Sequence, residues 1–107
     1  MTPLPHYSIT FDPQVRQHLR FIGRNHHSEI QHEIEDKLSF EPDVPTRNRK
    51  PMNVADIANS EWELRCGSSN QIRVFYSVYP DDLVVYIVAI GEKRGSRLFI
   101  EGKEVEL

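Results

Sequence analysis

The 107-residue chain has one cysteine, no long apolar run and no excess of positive charge. The single cysteine, Cys66, excludes an internal disulfide and a cysteine metal cluster, and it favours a reducing compartment. The longest apolar run, Leu83 to Ile90, is as long as a strand and too short to cross a membrane. A net charge of −3 argues against a general nucleic-acid coat, but it leaves room for a local basic site.

Length and composition predict one domain over residues 1–107, because a chain of this size buries enough surface for one core. The first residues, MTPLPHYSITF, contain no charged segment followed by an apolar one, so we expect no signal peptide and a cytoplasmic protein. The histidines lack the spacing of a zinc motif, and those of the two helices, His18 among them, are expected at the helix surface. We therefore expect no metal, no cofactor and no membrane partner.

The pattern along the chain predicts an α+β fold. HYSITF alternates apolar and polar residues, as a strand with one buried face does. Two helices should follow, one in DPQVRQHLRFIGR with Asp12 as N-cap and Pro13 as its first residue, and one in SEIQHEIEDKLSF with Ser28 as N-cap. EWELRC, IRVFYSV and LVVYIVAI then predict a mainly antiparallel sheet, with RLFI and EVEL as short edge strands. The helical hairpin should pack on one face of this sheet.

Residues 41–60, EPDVPTRNRKPMNVADIANS, predict a polar loop that contains prolines. The loop is longer than most connections inside a compact domain, and such loops are usually functional or disordered. Its three cations, Arg47, Arg49 and Lys50, all lie between Pro45 and Pro51. Such a concentration of positive charge in an acidic chain predicts a local site for a negatively charged ligand.

The strand pattern also pairs two arginines. Matching the apolar faces of EWELRC and IRVFYSV across GSSNQ places Arg65 opposite Arg73. Like charges directly opposite each other destabilise a sheet. An anionic ligand or an acidic partner segment would explain the pair, and so would local neutralisation by Glu61 and Glu63.

The turn after IRVFYSV decides which side chains lie beside these arginines. A two-residue turn at positions 80 and 81 pairs Phe75 with Tyr86 and Arg73 with Val88. Two helices cover only one face of the sheet, so the second face is predicted to be open. Its exposed side chains would be Arg65, Arg73, Phe75, Tyr86 and Val88.

Three further cations follow the last long strand, in GEKRGSRLFI. Lys93, Arg94 and Arg97 lie close to Gly91 and Gly95, which allow a tight turn. Glycines and cations together form anion-binding nests in some proteins. A solvated turn at the edge of the sheet is the alternative interpretation.

The segments WELRCG, IRVFYSV and LVVYIVAIGEKRGSRLFI, in this order and spacing, resemble the RelE/ParE superfamily of toxins from type II toxin–antitoxin systems. The loop PTRNRKP and the tail RLFIEGKEVEL resemble its RelE-like subgroup. The resemblance covers most of the chain and implies a toxin that a cognate antitoxin holds inactive. RelE-type members cleave mRNA in the ribosomal decoding site, whereas ParE-type members poison DNA gyrase without nuclease activity.

The resemblance also implies roles for individual residues. The middle-strand arginine corresponds to Arg73 and the basic residue after the last long strand to Lys93 or Arg94, which makes these three the expected catalytic residues. The residues expected to bind RNA or phosphate are Arg47, Arg49, Lys50, Arg65 and Arg97. The residues expected to stack on a nucleotide or to contact a partner are Phe75, Tyr86 and Phe99.

Phe99 departs from the RelE pattern, which has a tyrosine at this position. Phenylalanine has no hydroxyl to take or give a proton, so the general base is missing from its expected place. Lys50 or Lys93 could act as a base if the clustered positive charge lowered the pKa of the lysine. Three hypotheses follow: a metal-independent endoribonuclease acting on ribosome-bound mRNA, a non-catalytic inhibitor of DNA gyrase, or a degenerate member that binds only its antitoxin. In all three, the antitoxin segment should bind on the open face of the sheet.

Overall fold

A computed structural model describes residues 3–52, 57 and 59–106. Two α-helices lie near the N-terminus, α1 (Val15–Arg20) and α2 (His27–Leu38), and a 3-10 turn (Arg24–His26) joins them. The strands are β1 (Ser8–Phe11), β2 (Arg49–Pro51), β3 (Trp62–Cys66), β4 (Ile72–Tyr79), β5 (Val84–Arg94), β6 (Arg97–Ile100) and β7 (Lys103–Val105).

The strands form one sheet in the order β2-β3-β4-β5-β6-β7, and all neighbours in this row are antiparallel. β1 pairs with β5 in parallel. One edge of the long strand β5 is therefore shared, by β1 near its start and by β6 near its end. The predicted fold class, two helices on a mainly antiparallel sheet, is confirmed.

The two helices cover the first face of the sheet. The apolar stripe predicted for α2, Ile30, Ile34 and Leu38, is buried there against the strands. Burial of one such side chain contributes about 1.5–3 kcal/mol. The strand residues of this core are Leu64, Cys66, Ile72, Val74, Tyr76, Val78, Val85, Ile87 and Ile90. No helix in the described part of the chain is long and apolar enough to cross a membrane.

The helix starts differ in part from the prediction. The prediction that Asp12 caps α1 is wrong, because the helix begins at Val15 with Gln14 at the N-cap and has no side-chain cap. Asp12 Oδ1 accepts a hydrogen bond of 3.0 Å from the Gln14 amide in the turn before the helix. The prediction that Ser28 caps α2 is wrong, because the helix begins at His27 and has no side-chain cap. His27 Nε2 instead lies 2.9 and 2.8 Å from the carbonyl oxygens of Leu19 and Ile22. The His27 ring therefore links the start of α2 to the C-terminal end of α1 and the residues that follow it.

The turn between β4 and β5 is longer than predicted. Tyr79 pairs with Val84, so the turn spans positions 80–83. Leu83 has φ of 53°, a left-handed conformation that favours glycine or asparagine. A leucine gives no sequence signal for such a conformation, which is why a shorter turn was expected.

A bulge between β4 and β5 moves the register further. It falls between Phe75 and Tyr76: Tyr76 pairs with Ile87, but Phe75 pairs with Ala89, so one residue of β5 has no partner in β4. Phe75 lies opposite Ala89 and Arg73 lies opposite Gly91. The predicted pairs of Phe75 with Tyr86 and of Arg73 with position 88 are therefore wrong.

The second face is not open along its whole length. Phe75 and Val88 are buried, so the prediction that they are exposed is wrong. The buried residues Ile57, Ala89 and Leu98 pack with Phe75. Met52 and the β6–β7 residues Ile100 and Val105 pack around this small cluster. The β6–β7 hairpin and the segment before β3 thus cover part of the second face, which strand alternation alone would predict to be exposed.

The loop predicted over residues 41–60 contains a strand. β2 pairs with β3, which places Arg49 opposite Leu64 and Lys50 opposite Glu63. Neighbouring side chains of a strand point to opposite faces, so these two loop cations are separated. Positions 53–56 and 58 of the predicted loop lie outside the described residues.

Candidate functional site

Charged side chains lie together on the second face of the sheet. Arg65 lies opposite Arg73, as predicted, and Arg73 lies opposite Gly91. Positions that alternate along a strand share a face, which adds Glu63 beside Arg65 and Lys93 beside Gly91. Lys50 lies opposite Glu63. We call this group the charged cluster, and its members are Lys50, Glu63, Arg65, Arg73 and Lys93.

One carboxylate lies at the centre of the charged cluster. Glu63 Oε1 accepts a hydrogen bond of 2.7 Å from Arg73 Nη1 and one of 3.3 Å from Arg65 Nε. Glu63 therefore provides the local neutralisation that was the alternative explanation of the arginine pair. Glu61 does not take part, since its Oε1 accepts from the Val78 amide at 3.3 Å. Two of the four cations of the charged cluster bind this carboxylate, so its described side chains carry more positive than negative charge.

Arg73 is the least exposed cation of these ion pairs. Its side chain is 12% exposed, and its Nε is buried without a hydrogen-bond partner among the described residues. An unpaired buried donor costs about 1–3 kcal/mol, and more on a charged group. The backbone of Arg73 is fixed, because β4 is an inner strand that pairs with both β3 and β5. The strand therefore holds the guanidinium in place on the second face, where its terminal nitrogens can bind an anion.

Gly91, the residue opposite Arg73, is in close contact with β6. A Cβ at this position would lie 2.8 Å from both the Phe99 carbonyl oxygen and Ile100 Cγ1, and 3.1 Å from Leu98 Cδ1. Glycine is needed here because β6 comes close, and not because the turn requires it. Gly95 is the glycine of the turn, with φ of 64° and open space around it.

The structure separates the two expected cations after the last long strand. Lys93 shares the face of Arg73, whereas Arg94 points to the opposite face with Phe99. Arg94 Nε binds Glu92 Oε1 at 3.1 Å, and its Cζ lies 4.9 Å from the centre of the Phe99 ring. Of the two alternatives, Lys93 is therefore the one that joins Arg73.

The remaining predicted phosphate-binding cations lie apart from the charged cluster. Arg47 is exposed in the loop, and Arg97 is an exposed residue whose Nε lies 3.7 Å from Glu104 Oε1. Arg49 donates from Nη1 to the Lys37 carbonyl and from Nε to the Val44 carbonyl. It therefore joins the loop to the end of α2 on the first face.

Tyr86, predicted to stack or to contact a partner, is bound within the protein. Its hydroxyl donates a hydrogen bond of 2.6 Å to Asp12 Oδ2. This bond raises the pKa of Tyr86 and lowers the pKa of Asp12, because it stabilises the phenol and the carboxylate. Tyr86 thus fastens the start of α1 to β5, whereas Phe99 remains half-buried under Arg94.

The other reactive side chains of the described residues do not form a site. Cys66 is buried on the first face, and burial raises the pKa of its thiol to about 12. A thiol in this state is not a nucleophile at neutral pH. No group of three or more histidine, cysteine or acidic side chains within the described residues could hold a metal ion.

Sequence reasoning missed one polar core residue, His18. Its Nδ1 accepts a hydrogen bond of 3.2 Å from the Ile90 amide, so α1 is bound to the central strand β5. His18 is buried on the same side of α1 as Val15. That position, three residues after a core valine, was a usable signal, although a histidine was expected at the helix surface.

Comparison with protein-family models finds none that matches this chain, and comparison with curated proteins finds no similar one.

Proposed function

We propose that the protein is a RelE/ParE-like toxin of a type II toxin–antitoxin system, a metal-independent endoribonuclease that cleaves ribosome-bound mRNA. The observation that carries this proposal is the charged cluster, which brings the Arg73 guanidinium together with Lys50, Arg65 and Lys93 on one face of the sheet. An RNA phosphate offers the oxygens that such a guanidinium binds best. The order of the motifs along the sequence supports the same proposal.

In the proposed reaction Arg73 holds the scissile phosphate. Lys93, on the same face, stabilises the charge that develops on the phosphate oxygens. Lys50 and Arg65 bind the neighbouring RNA backbone. Removal of one preorganised donor of this kind typically slows a reaction about 10²–10³-fold.

The cations outside the charged cluster have a role in association with RNA and not in the chemistry. Arg47, Arg94 and Arg97 are exposed and lie outside the charged cluster. Exposed cations steer a protein toward ribosomal RNA and raise the association rate without taking part in the chemistry. The cognate antitoxin would carry acidic and apolar side chains, because it must cover the charged cluster to hold the toxin inactive.

Primer extension on mRNA from cells that express the protein tests the proposal. The wild-type chain should produce cuts in phase with codons, and Arg73→Ala should reduce them about 100-fold or more. Arg16→Ala is the matched control, because it removes an exposed arginine of α1 that lies outside the charged cluster, and it should leave the cuts in place. Equal thermal unfolding of the three proteins shows that the fold is kept. Unchanged cleavage by Arg73→Ala would contradict the assignment.

A second candidate function is non-catalytic inhibition of DNA gyrase. Two observations favour it: Phe99 has no hydroxyl, and Glu63 already binds both Arg65 and Arg73. In that case expression of the wild-type chain produces no phased cuts, but it induces a DNA-damage response and inhibits supercoiling by gyrase. Absence of any growth arrest would instead leave a degenerate protein that only binds its antitoxin.

A further inference from the structure

RNA cleavage through the neighbouring hydroxyl needs a group that removes the 2′-OH proton, and Phe99 does not provide one. The following inference rests on the proposed function and concerns this missing base. Glu63 is the single carboxylate of the charged cluster, and its side chain is 22% exposed. We propose that Glu63 is the general base of the reaction.

The position of Glu63 relative to Arg73 carries this assignment. Its Oε1 lies 2.7 Å from Arg73 Nη1, so the carboxylate is adjacent to any phosphate that the same guanidinium holds. The attacking 2′-oxygen must approach that phosphorus to about 3–3.5 Å, which brings its proton near Glu63. Both hydrogen bonds of the carboxylate within the described residues use Oε1. Oε2 thus retains its lone pairs for a proton.

Other proton-accepting groups are less suitable. His18 Nδ1 already accepts from the Ile90 amide, so the neutral ring carries its proton on Nε2 and has no free lone pair. The Tyr86 hydroxyl is bound to Asp12. Glu92 lies on the opposite face with Arg94. A lysine ammonium has no lone pair, which makes Lys50 and Lys93 better proton donors than acceptors.

The proposed step balances as follows. Glu63 takes the proton of the 2′-OH, and the 2′-oxygen forms a bond to the scissile phosphorus. The bond between phosphorus and the 5′-oxygen breaks, and Lys93 gives a proton to the leaving 5′-oxygen. The products are a 2′,3′-cyclic phosphate and a 5′-OH. Water then carries the proton from the Glu63 carboxyl back to the Lys93 amine, which restores both groups.

The first experiment separates catalysis from binding, with the full chain and programmed ribosomes. Glu63→Gln should lower the cleavage rate about 10²–10⁴-fold, the usual contribution of a general base. The affinity for mRNA with a 2′-O-methyl group at the scissile nucleotide should stay equal or increase, because the variant loses a negative charge. Glu63→Asp keeps a carboxylate and should cleave faster than Glu63→Gln. A parallel loss of binding and cleavage would overturn the inference and make Glu63 a positioning residue.

The second experiment uses mRNA with a bridging sulfur in place of the scissile 5′-oxygen. A thiolate leaves without protonation, so this substrate should restore cleavage by Lys93→Ala but not by Glu63→Gln. Restoration in both variants would overturn the role of Glu63 as base, as would cleavage by Glu63→Gln at the wild-type rate. If wild-type protein cleaves neither RNA, the proposed function itself fails. Failure of the inference alone requires a wild-type chain that cleaves.

Discussion

The two faces of the sheet differ in what they hold. Under the helices, the first face carries one apolar cluster of fifteen buried residues, and the apolar cluster on the second face has four within the described part of the chain. The second face also carries the charged cluster. The same strands supply both, since Val74 and Tyr76 of β4 point to the first face and Arg73 to the second. A single strand therefore combines core packing on one side with a charged side chain on the other.

This difference predicts that substitutions on the two faces change different properties. Large apolar side chains of the first face contribute mainly to the free energy of unfolding. The ion pairs of the second face contribute less to it, because partly exposed pairs are screened by solvent. Arg73 and Glu63 should therefore affect ligand binding or chemistry more than they affect the fold.

The largest expected effect is a loss of stability on the first face. Ile34 is 1% exposed in the main cluster, and Ile34→Ala should lower the free energy of unfolding by about 2–5 kcal/mol. Leu98→Ala removes a comparable side chain from the smaller cluster and should fall near the lower end of this range. Urea unfolding with an unchanged m-value measures both. Equal losses would mean that the second face supports the fold as strongly as the first.

A smaller effect is expected where β6 approaches β5. Gly91→Ala places a Cβ 2.8 Å from Ile100 Cγ1 and from the Phe99 carbonyl oxygen, so the strands must move. We expect a loss of about 1–3 kcal/mol, together with faster amide hydrogen exchange in β6. Gly95→Ala is the control, because its cost of about 1–2 kcal/mol comes from φ of 64° in open space. Exchange in β6 that is unchanged by Gly91→Ala would contradict the close approach.

Local patterns in the sequence predict much of this fold. Alternation in β3 and β4 gives the correct register, with Arg65 opposite Arg73, because a slip of one residue would expose the apolar side chains. The register between β4 and β5 is different, since it depends on Leu83 in a left-handed turn and on a bulge. Neither feature has a sequence signal. The small cluster on the second face follows from that register and from tertiary contacts of Ile57 and Leu98.

For the candidate site, too, local patterns predict which residues share a face but not which side chains are in contact. Alternation along β5 already separates Lys93 from Arg94, so this choice was available from the sequence. Alternation also puts Glu63 on the face of Arg65, although its contact with Arg73 needs the paired strands. The hydrogen bond of Arg49 to the Lys37 carbonyl at the end of α2 depends on how the loop packs. A count of loop cations therefore overstates the number that can meet one ligand.

The smallest effect is expected from pH at His18, which joins α1 to the first face. Burial lowers the pKa of His18 below its ordinary value of 6.5, while the Glu101 and Asp12 carboxylates raise it and offset part of this effect. Glu92 and Arg94 also line the small cavity beside the ring. The unfolded chain thus binds a proton more readily, and the free energy of unfolding should fall as pH drops through 6.5.

Substitution isolates this contribution. In His18→Asn the side-chain oxygen can still accept from the Ile90 amide, but the residue does not titrate. Urea unfolding between about pH 7.5 and pH 5 should therefore give a steeper loss of stability for the wild-type chain than for His18→Asn. Asp12 does not confuse the measurement, because its pKa is lowered below 3.8 by the bond from Tyr86, so its contribution is lost only in more acidic solution. Equal slopes in the two proteins would show that other groups carry the acid sensitivity and that the hydrogen bond to Ile90 does not depend on a neutral ring.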